Sequence, residues 1–173
     1  MGTEVEKIRI ADISKSKGEE EEGTLGKVML EAKMENFVDK ELARRGLLKP
    51  EEVREMEKEA LVDTGATMLT LPEKIVEELG LTRGGFVTAN YADGTKKRRQ
   101  IGRGIIITIM GREALVDCVI EPAGRILIGQ IPLEEMDLIV DPKTGKLMPR
   151  PESPDMPLID ILSLERCERG INH

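Results

Sequence analysis

The stretch Ala60-Leu61-Val62-Asp63-Thr64-Gly65-Ala66-Thr67 decides how this chain reads. Three apolar residues run straight into Asp-Thr-Gly, a combination that turns the chain sharply. A strand ending this way brings a carboxylate to the surface of a β core. Glycine then leaves its own peptide N–H free to approach that carboxylate. The bland reading of the same residues is a strand-end turn, because Asp and Gly favour turns whatever their function.

Upstream, Glu55 to Val62 fits a helix or a strand, and we take strand for at least the half that delivers Asp63. Lys27 to Phe37 alternates well enough for a strand, and Asp39 is placed to cap a short helix that Gly46 ends. Downstream, Pro72 opens a short helix from Glu73 to Leu79, with Gly80 past its end. Phe86 to Ala92 and Thr95 to Ile101 read as the arms of a hairpin whose Asp93-Gly94 tip suits a type I′ turn. Ile105 to Met110, Ala114 to Ile120 and Arg125 to Ile128 follow as strands, then a short helix from Pro132 and a hairpin of Asp137 to Val140 with Lys146 to Met148. So many short strands at hairpin spacing predict a mostly β barrel or sandwich.

The 173 residues allow one domain with a tail or an insertion. We place an acidic, flexible segment at 1–25, where Glu19 to Glu22 repel one another, a folded domain at 26–148 and a proline-rich, extended tail at 149–173. The single His stands at position 173 and the two cysteines, Cys118 and Cys167, lie far apart. Catalysis through an imidazole held between nucleophile and carboxylate therefore has no internal histidine to use, and no zinc-ligand spacing occurs. No metal site and no cofactor is expected, and chemistry is left to carboxylates, hydroxyls, amines or backbone. A net charge of −7 argues against nucleic acid, and no apolar run approaches the ~20 residues of a membrane span. The charged start MGTEVEKIRI lacks the apolar core of a signal peptide, so a cytoplasmic protein with free thiols is expected.

ALVDTGAT, the glycine-tipped hairpin, the segment Arg99-Gln100-Ile101-Gly102-Arg103 and Ile126-Leu127-Ile128-Gly129 before a short helix together resemble the retroviral-type (retropepsin-like) aspartic proteases. The resemblance covers about Gly26 to Met148, is nearest the small prokaryotic single-lobe members, and leaves 39–56 as a helical insertion. It implies a single-lobe acid-protease β-barrel with one or two short helices and a flap hairpin. It also implies peptide-bond hydrolysis by two carboxylates that share a proton. No second Asp-Ser/Thr-Gly occurs, so the resemblance implies a homodimer that sets Asp63 against its symmetry mate. Thr64, Gly65 and Ala66 would support the active-site turn, and Ile128 and Gly129 would pack beside it. The hairpin carrying Tyr91, Asp93 and Gly94 would close over a peptide or protein substrate bound as an extended strand.

Open alternatives stand beside these expectations. The whole chain could be a non-catalytic peptide-binding or dimerisation module on the same fold. Tyr91 could pack in the hairpin or border a pocket, and Lys96 to Arg99 could be a solvated arm or a steering patch for acidic peptides.

Overall fold

The computed structural model describes residues 28–159. The acidic segment at 1–25, Cys167 and His173 lie outside them. Strand β1 (Val28–Asn36) runs antiparallel to β2 (Glu55–Val62), with Val28 opposite Val62 and Glu35 opposite Glu55. β3 (Leu69–Pro72) leads into helix α2 (Glu73–Glu78), after which β4 (Thr82–Asn90) and β5 (Lys96–Ile109) form the long hairpin. β6 (Arg112–Glu121), β7 (Leu127–Ile128) and helix α3 (Gln130–Glu135) follow, and β8 (Leu138–Val140) pairs with β9 (Leu147–Pro149) as a separate small sheet.

The large sheet has the order β1-β2-β7-β3-β6-β5-β4, and β1 also pairs with β5. Six strands thereby close into a ring, and β4 alone stands outside it. The expected mostly β barrel is therefore the observed architecture. Its interior follows from strand alternation: in β6, Ala114, Val116, Cys118 and Ile120 point inward while Glu113 and Leu115 face out. Leu69, Leu71, Ile105, Ile107, Ile128 and Met34 are sealed from solvent within the same core. Each such side chain contributes on the order of 1.5–3 kcal/mol relative to exposure, which makes the ring a rigid frame. Burial also pushes the Cys118 thiol up to about 12, so it is inert packing.

β5 belongs to both ring and hairpin because it bends. Its register with β6 shifts between Gly102 and Ile105, and Gly104 takes φ +74°, a left-handed conformation that glycine adopts without strain. Asp117 holds the bend, accepting from the Gly104 N–H at 3.1 Å and from Arg103 Nη1 at 2.5 Å. Before this point in the chain β5 pairs with β4, and only Ile101 and Gly102 of Lys96 to Arg103 are also paired with β6, so Lys96 to Gln100 stand outside the ring.

Five local expectations are corrected. Helix α1 (Phe37–Arg44) is capped by Asn36, not Asp39: the Asn36 side-chain oxygen accepts from the Asp39 N–H, and its amide donates to Leu79 O and Gly80 O. Asp39 is buried instead against Arg54, whose backbone N–H and guanidinium donate to both carboxylate oxygens and hold its carboxyl below the usual range. The Asp39–Met56 stretch thus holds most of α1, a 3-10 turn at Pro50–Glu52 and the first residues of β2. Second, the type I′ signature of two successive positive φ angles falls on Met110 (52°) and Gly111 (76°), between paired Ile109 and Arg112. At the other tip only Gly94 is positive (79°), and Gly94 N–H bonds to Tyr91 O while Tyr91 N–H bonds to Thr95 O. That is a type I turn with a glycine bulge, so Asp93 is not left-handed. Third, α3 starts at Gln130, two residues before Pro132, with Gly129 at its N-cap. Fourth, among the described residues there are three short α-helices where one or two were expected. Fifth, the proline-rich tail is not simply extended as far as it is described, because Arg150 to Ser153 turn back and Ser153 is buried.

Candidate active site

Asp63 follows the last residue of β2, and backbone bonds fix it from two sides. Leu61 N–H donates to Ile126 O at 2.9 Å and Asp63 N–H to Ile128 O at 3.0 Å, continuing the parallel pairing of β2 with β7. The turn then closes on itself as Ala66 N–H donates to Asp63 O at 3.0 Å. Its exit is held by Gln130 N–H on Ala66 O and Ile131 N–H on Thr67 O, both at 2.9 Å. The segment Ile126 to Ile131 therefore clamps the Asp-Thr-Gly-Ala turn before and after the carboxylate. Every one of these bonds uses backbone, so the position of Asp63 depends on the ring and not on any long side chain.

The carboxylate has a single partner among the described residues: Gly65 N–H donates to Asp63 Oδ1 at 3.0 Å. A Cβ at Gly65 would stand 3.2 Å from that oxygen, tighter than ordinary contact. Asp63 takes part in no ion pair among the described residues. Its remaining lone pairs therefore face outward, unspent. Thr64 and Gly65 are exposed, and Ile131, bonded to Thr67 through its N–H, is an exposed apolar side chain beside the turn.

Ile128 is sealed in the core, and Gly129 is buried against the turn. A Cβ on Gly129 would lie 2.5 Å from Met68 O and 2.7 Å from Ala66 O, so only glycine lets the two segments approach this closely. The structure thus brings together Asp63, Gly65, Ala66, Ile128 and Gly129. Thr64 makes no hydrogen bond among the described residues.

The hairpin residues form a second group. Tyr91 OH donates to Glu121 Oε1, and Arg99 Nε donates to Glu121 Oε2 at 2.9 Å. Burial pushes the Glu121 carboxyl up, but Arg99 and Tyr91 outweigh it and hold the carboxyl below its ordinary value. Tyr91 therefore packs at the root of the hairpin turn. Asp93 accepts from Thr95 N–H and Oγ1 at 2.9 and 2.7 Å, and these bonds lower its carboxyl below the usual range. It shapes its own turn with Gly94, and no hydrogen bond joins these residues to the Asp63 turn.

Sequence reasoning missed Glu121, the residue that roots the hairpin. Its signal was an acid directly after the apolar Val119-Ile120, where a lone charge needs a partner. Reasoning also missed a second carboxylate centre at Asp137. This buried residue, at φ +52°, accepts from Arg150 Nε at 2.7 Å, Leu158 N–H at 3.1 Å and Ser153 Oγ. Buried Arg112 lies 3.9 Å away and donates to the carbonyls of Met136, Asp137 and Ser153. The Ser153 hydroxyl, Arg150 and the Leu158 N–H hold the Asp137 carboxyl down to about 2. Among the described residues no group of His, Cys, Asp and Glu is arranged to hold a metal ion, and no helix is long and apolar enough to cross a membrane.

Residues 52–135 match the family described as "gag-polyprotein putative aspartyl protease". The match begins in the 3-10 turn, ends with α3, and includes the Asp63 turn, the hairpin and Ile128-Gly129. Among solved structures, EIAV protease complexed with the inhibitor HBY-793 aligns at 18% identity and a TM-score of 0.38, over 46% of this chain and 76% of that one. No curated protein matches the chain.

Proposed function

We propose, from the match of residues 52–135 to the aspartyl protease family and from the geometry of the turn, that this chain is an aspartic endopeptidase whose reacting carboxylate is Asp63. The observation that carries the reading is the state of that carboxylate: fixed by backbone on a rigid ring and, among the described residues, bonded only to Gly65 N–H. Structural carboxylates of this chain are consumed by arginines, as Asp39 and Asp137 are. Asp63 is placed but free, which a group that must exchange protons needs.

One carboxylate cannot be base and acid together, and the chain holds a single Asp-Thr-Gly. We therefore infer a homodimer in which two exposed turns meet on a two-fold axis and share one proton. The ionised member takes a proton from water as the water oxygen attacks the peptide carbonyl carbon. The protonated member gives its proton to the carbonyl oxygen. Collapse of the tetrahedral diol then breaks the C–N bond as the nitrogen gains a proton. The exposed apolar Ile131 beside the turn suits burial against a second copy. Thr64, exposed and without a described partner, is free to bond across the axis. The β4–β5 hairpin would close over an extended peptide, excluding water.

Digestion of casein or an unbiased peptide library, read by mass spectrometry, tests the activity. Wild type is expected to cut, and Asp63→Asn, which keeps the shape and removes the titrating oxygen, to lose about 10²–10⁴-fold. Equal cleavage by both proteins would leave Asp63 as an ordinary turn residue. Sedimentation tests the dimer: a strict monomer at tens of micromolar that still cuts would deprive Asp63 of its partner.

A further inference from the structure

The charge of this chain is divided unevenly. Residues 82–103, which are β4, its turn and the outer part of β5, hold six of the 26 Lys and Arg but only one of the 33 Asp and Glu. That segment is net +5, and the rest of the chain is net −12. Half of the six cations are paired within the fold: Arg83 with Glu73 and Glu77, Arg99 with Glu121, and Arg103 with Asp117. The other three, Lys96, Lys97 and Arg98, have no salt bridge among the described residues.

Register sorts the three by face. Phe86 stands opposite Gln100, Thr88 opposite Arg98 and Asn90 opposite Lys96, so these six side chains share one surface of the hairpin. All are exposed except the half-buried Gln100. Lys97 lies on the other surface, 5.3 Å from the Tyr91 ring centre. On the exposed surface Arg98 reaches from β5 across to β4, its guanidinium carbon 3.8 Å from the centre of the Phe86 ring. Phe86 is one of two phenylalanines in the chain and is 55% exposed. Stacking fixes the guanidinium while leaving its in-plane N–H donors unused. Finally, β4 pairs only with β5 among the described residues, so its outer edge carries unpaired backbone donors and acceptors.

We propose that this surface of the β4–β5 hairpin is a docking site for acidic, extended polypeptide. A strand added to the β4 edge takes up the free backbone groups. Its alternate residues recur about every 6.7 Å, the same spacing as Lys96 and Arg98 on β5, so carboxylates at every second position face both cations. The Phe86 ring, opposite Gln100 and under the Arg98 guanidinium, supplies apolar contact beside them. Phosphate-rich nucleic acid fits less well, since two or three cations make a short footprint and the remainder of the chain repels a long polyanion. The inference stands apart from the catalytic reading, because binding here needs no titration of Asp63.

The test uses the full chain carrying Asp63→Asn, so that no probe is cut, with a fluorescein-labelled (Glu-Thr)₅ peptide followed by anisotropy. The peptide is expected to bind, to weaken with added salt, and to bind more tightly than (Gln-Thr)₅. The double reversal Lys96→Glu/Arg98→Glu should weaken binding about tenfold or more, since each exposed pair turns from attraction to repulsion. The neutral pair Lys96→Gln/Arg98→Gln should fall between, and Phe86→Ser should cost about threefold. Equal binding of the Glu and Gln peptides, unchanged binding by both double variants, or tighter binding of single-stranded dT₂₀ than of the Glu peptide would each overturn the proposal. Loss of this binding with casein cleavage intact in the Asp63 protein would leave the protease reading standing.

Discussion

Asp63 and Asp137 are both carboxylates at turns, and the chain treats them in opposite ways. Asp63 is positioned by a backbone bond to Ile128 and by the clamp of Ile126 to Ile131, while among the described residues its side chain hydrogen-bonds only to Gly65 N–H. Asp137 is 4% exposed and spends its side chain on Arg150, Ser153 and Leu158 N–H, with Arg112 close by. In the proposed function the first is held so that it can react. The other does the holding, joining α3, β6 and the segment after β9 at one point. Such sites can be told apart by what holds them: a carboxylate positioned by backbone, with most of its lone pairs left over, is available for chemistry.

The contrast breaks if the two residues fail to dissociate activity from stability. The largest effect expected is the loss of peptide cleavage, about 10²–10⁴-fold, in Asp63→Asn, with a melting temperature that stays at the wild-type value. Asp137→Ala should do the reverse. Removing it leaves buried Arg112 without its carboxylate neighbour, and a melting temperature lower by on the order of 10 °C is expected by calorimetry, with kcat/KM retained well below the transition. A variant of Asp137 that melts normally but cannot cut would merge the two roles and sink the comparison.

Gly129→Ala probes the clamp between them. Its methyl would collide with Met68 O and Ala66 O, which are backbone atoms and yield little. A cost of about 1–3 kcal/mol in urea unfolding is expected, along with an activity loss larger than the unfolded fraction explains, because the Asp63 turn must shift. The smallest effect is a pH slope. Asp137 is held at about 2, below its unfolded value of about 3.9, so its contribution is full above about pH 4 and fades as pH falls toward 2. Melting temperatures across this window should drop less steeply in Asp137→Asn than in wild type. Activity should decline in the other direction, at high pH, where a carboxylate pair loses its shared proton.

How legible each part was follows from how local its physics is. Asp63, Gly65 and Ala66 could be read because a strand, a carboxylate and a glycine turn lie within a few consecutive residues. Gly129 could be read as a packing glycine, though not which atoms it packs on, Met68 O and Ala66 O, since those come from another segment. The turns show the limit most clearly. Asp93-Gly94 has the composition of a type I′ turn, yet that geometry appears at Met110-Gly111. The register of β5 against β6 leaves two residues between Ile109 and Arg112 and forces Met110 to φ 52°. Pairing of long strands outweighs the preference of one residue. Asp39 was likewise a plausible cap until Arg54, fifteen residues on, claimed it.

By itself the sequence determined a mostly β chain, one Asp-Thr-Gly turn, the absence of an internal histidine, and a cationic segment within an acidic protein, because each is a matter of composition or of neighbours along the chain. Only the tertiary structure decided that β1 closes on β5 to make a ring, that β5 bends at Gly104 to carry β4 outside it, and that Asp137 is a strut. It also decided which cations are paired and which are not. Those outcomes depend on groups far apart in sequence meeting in space, where burial and competition for partners settle what each charge is for.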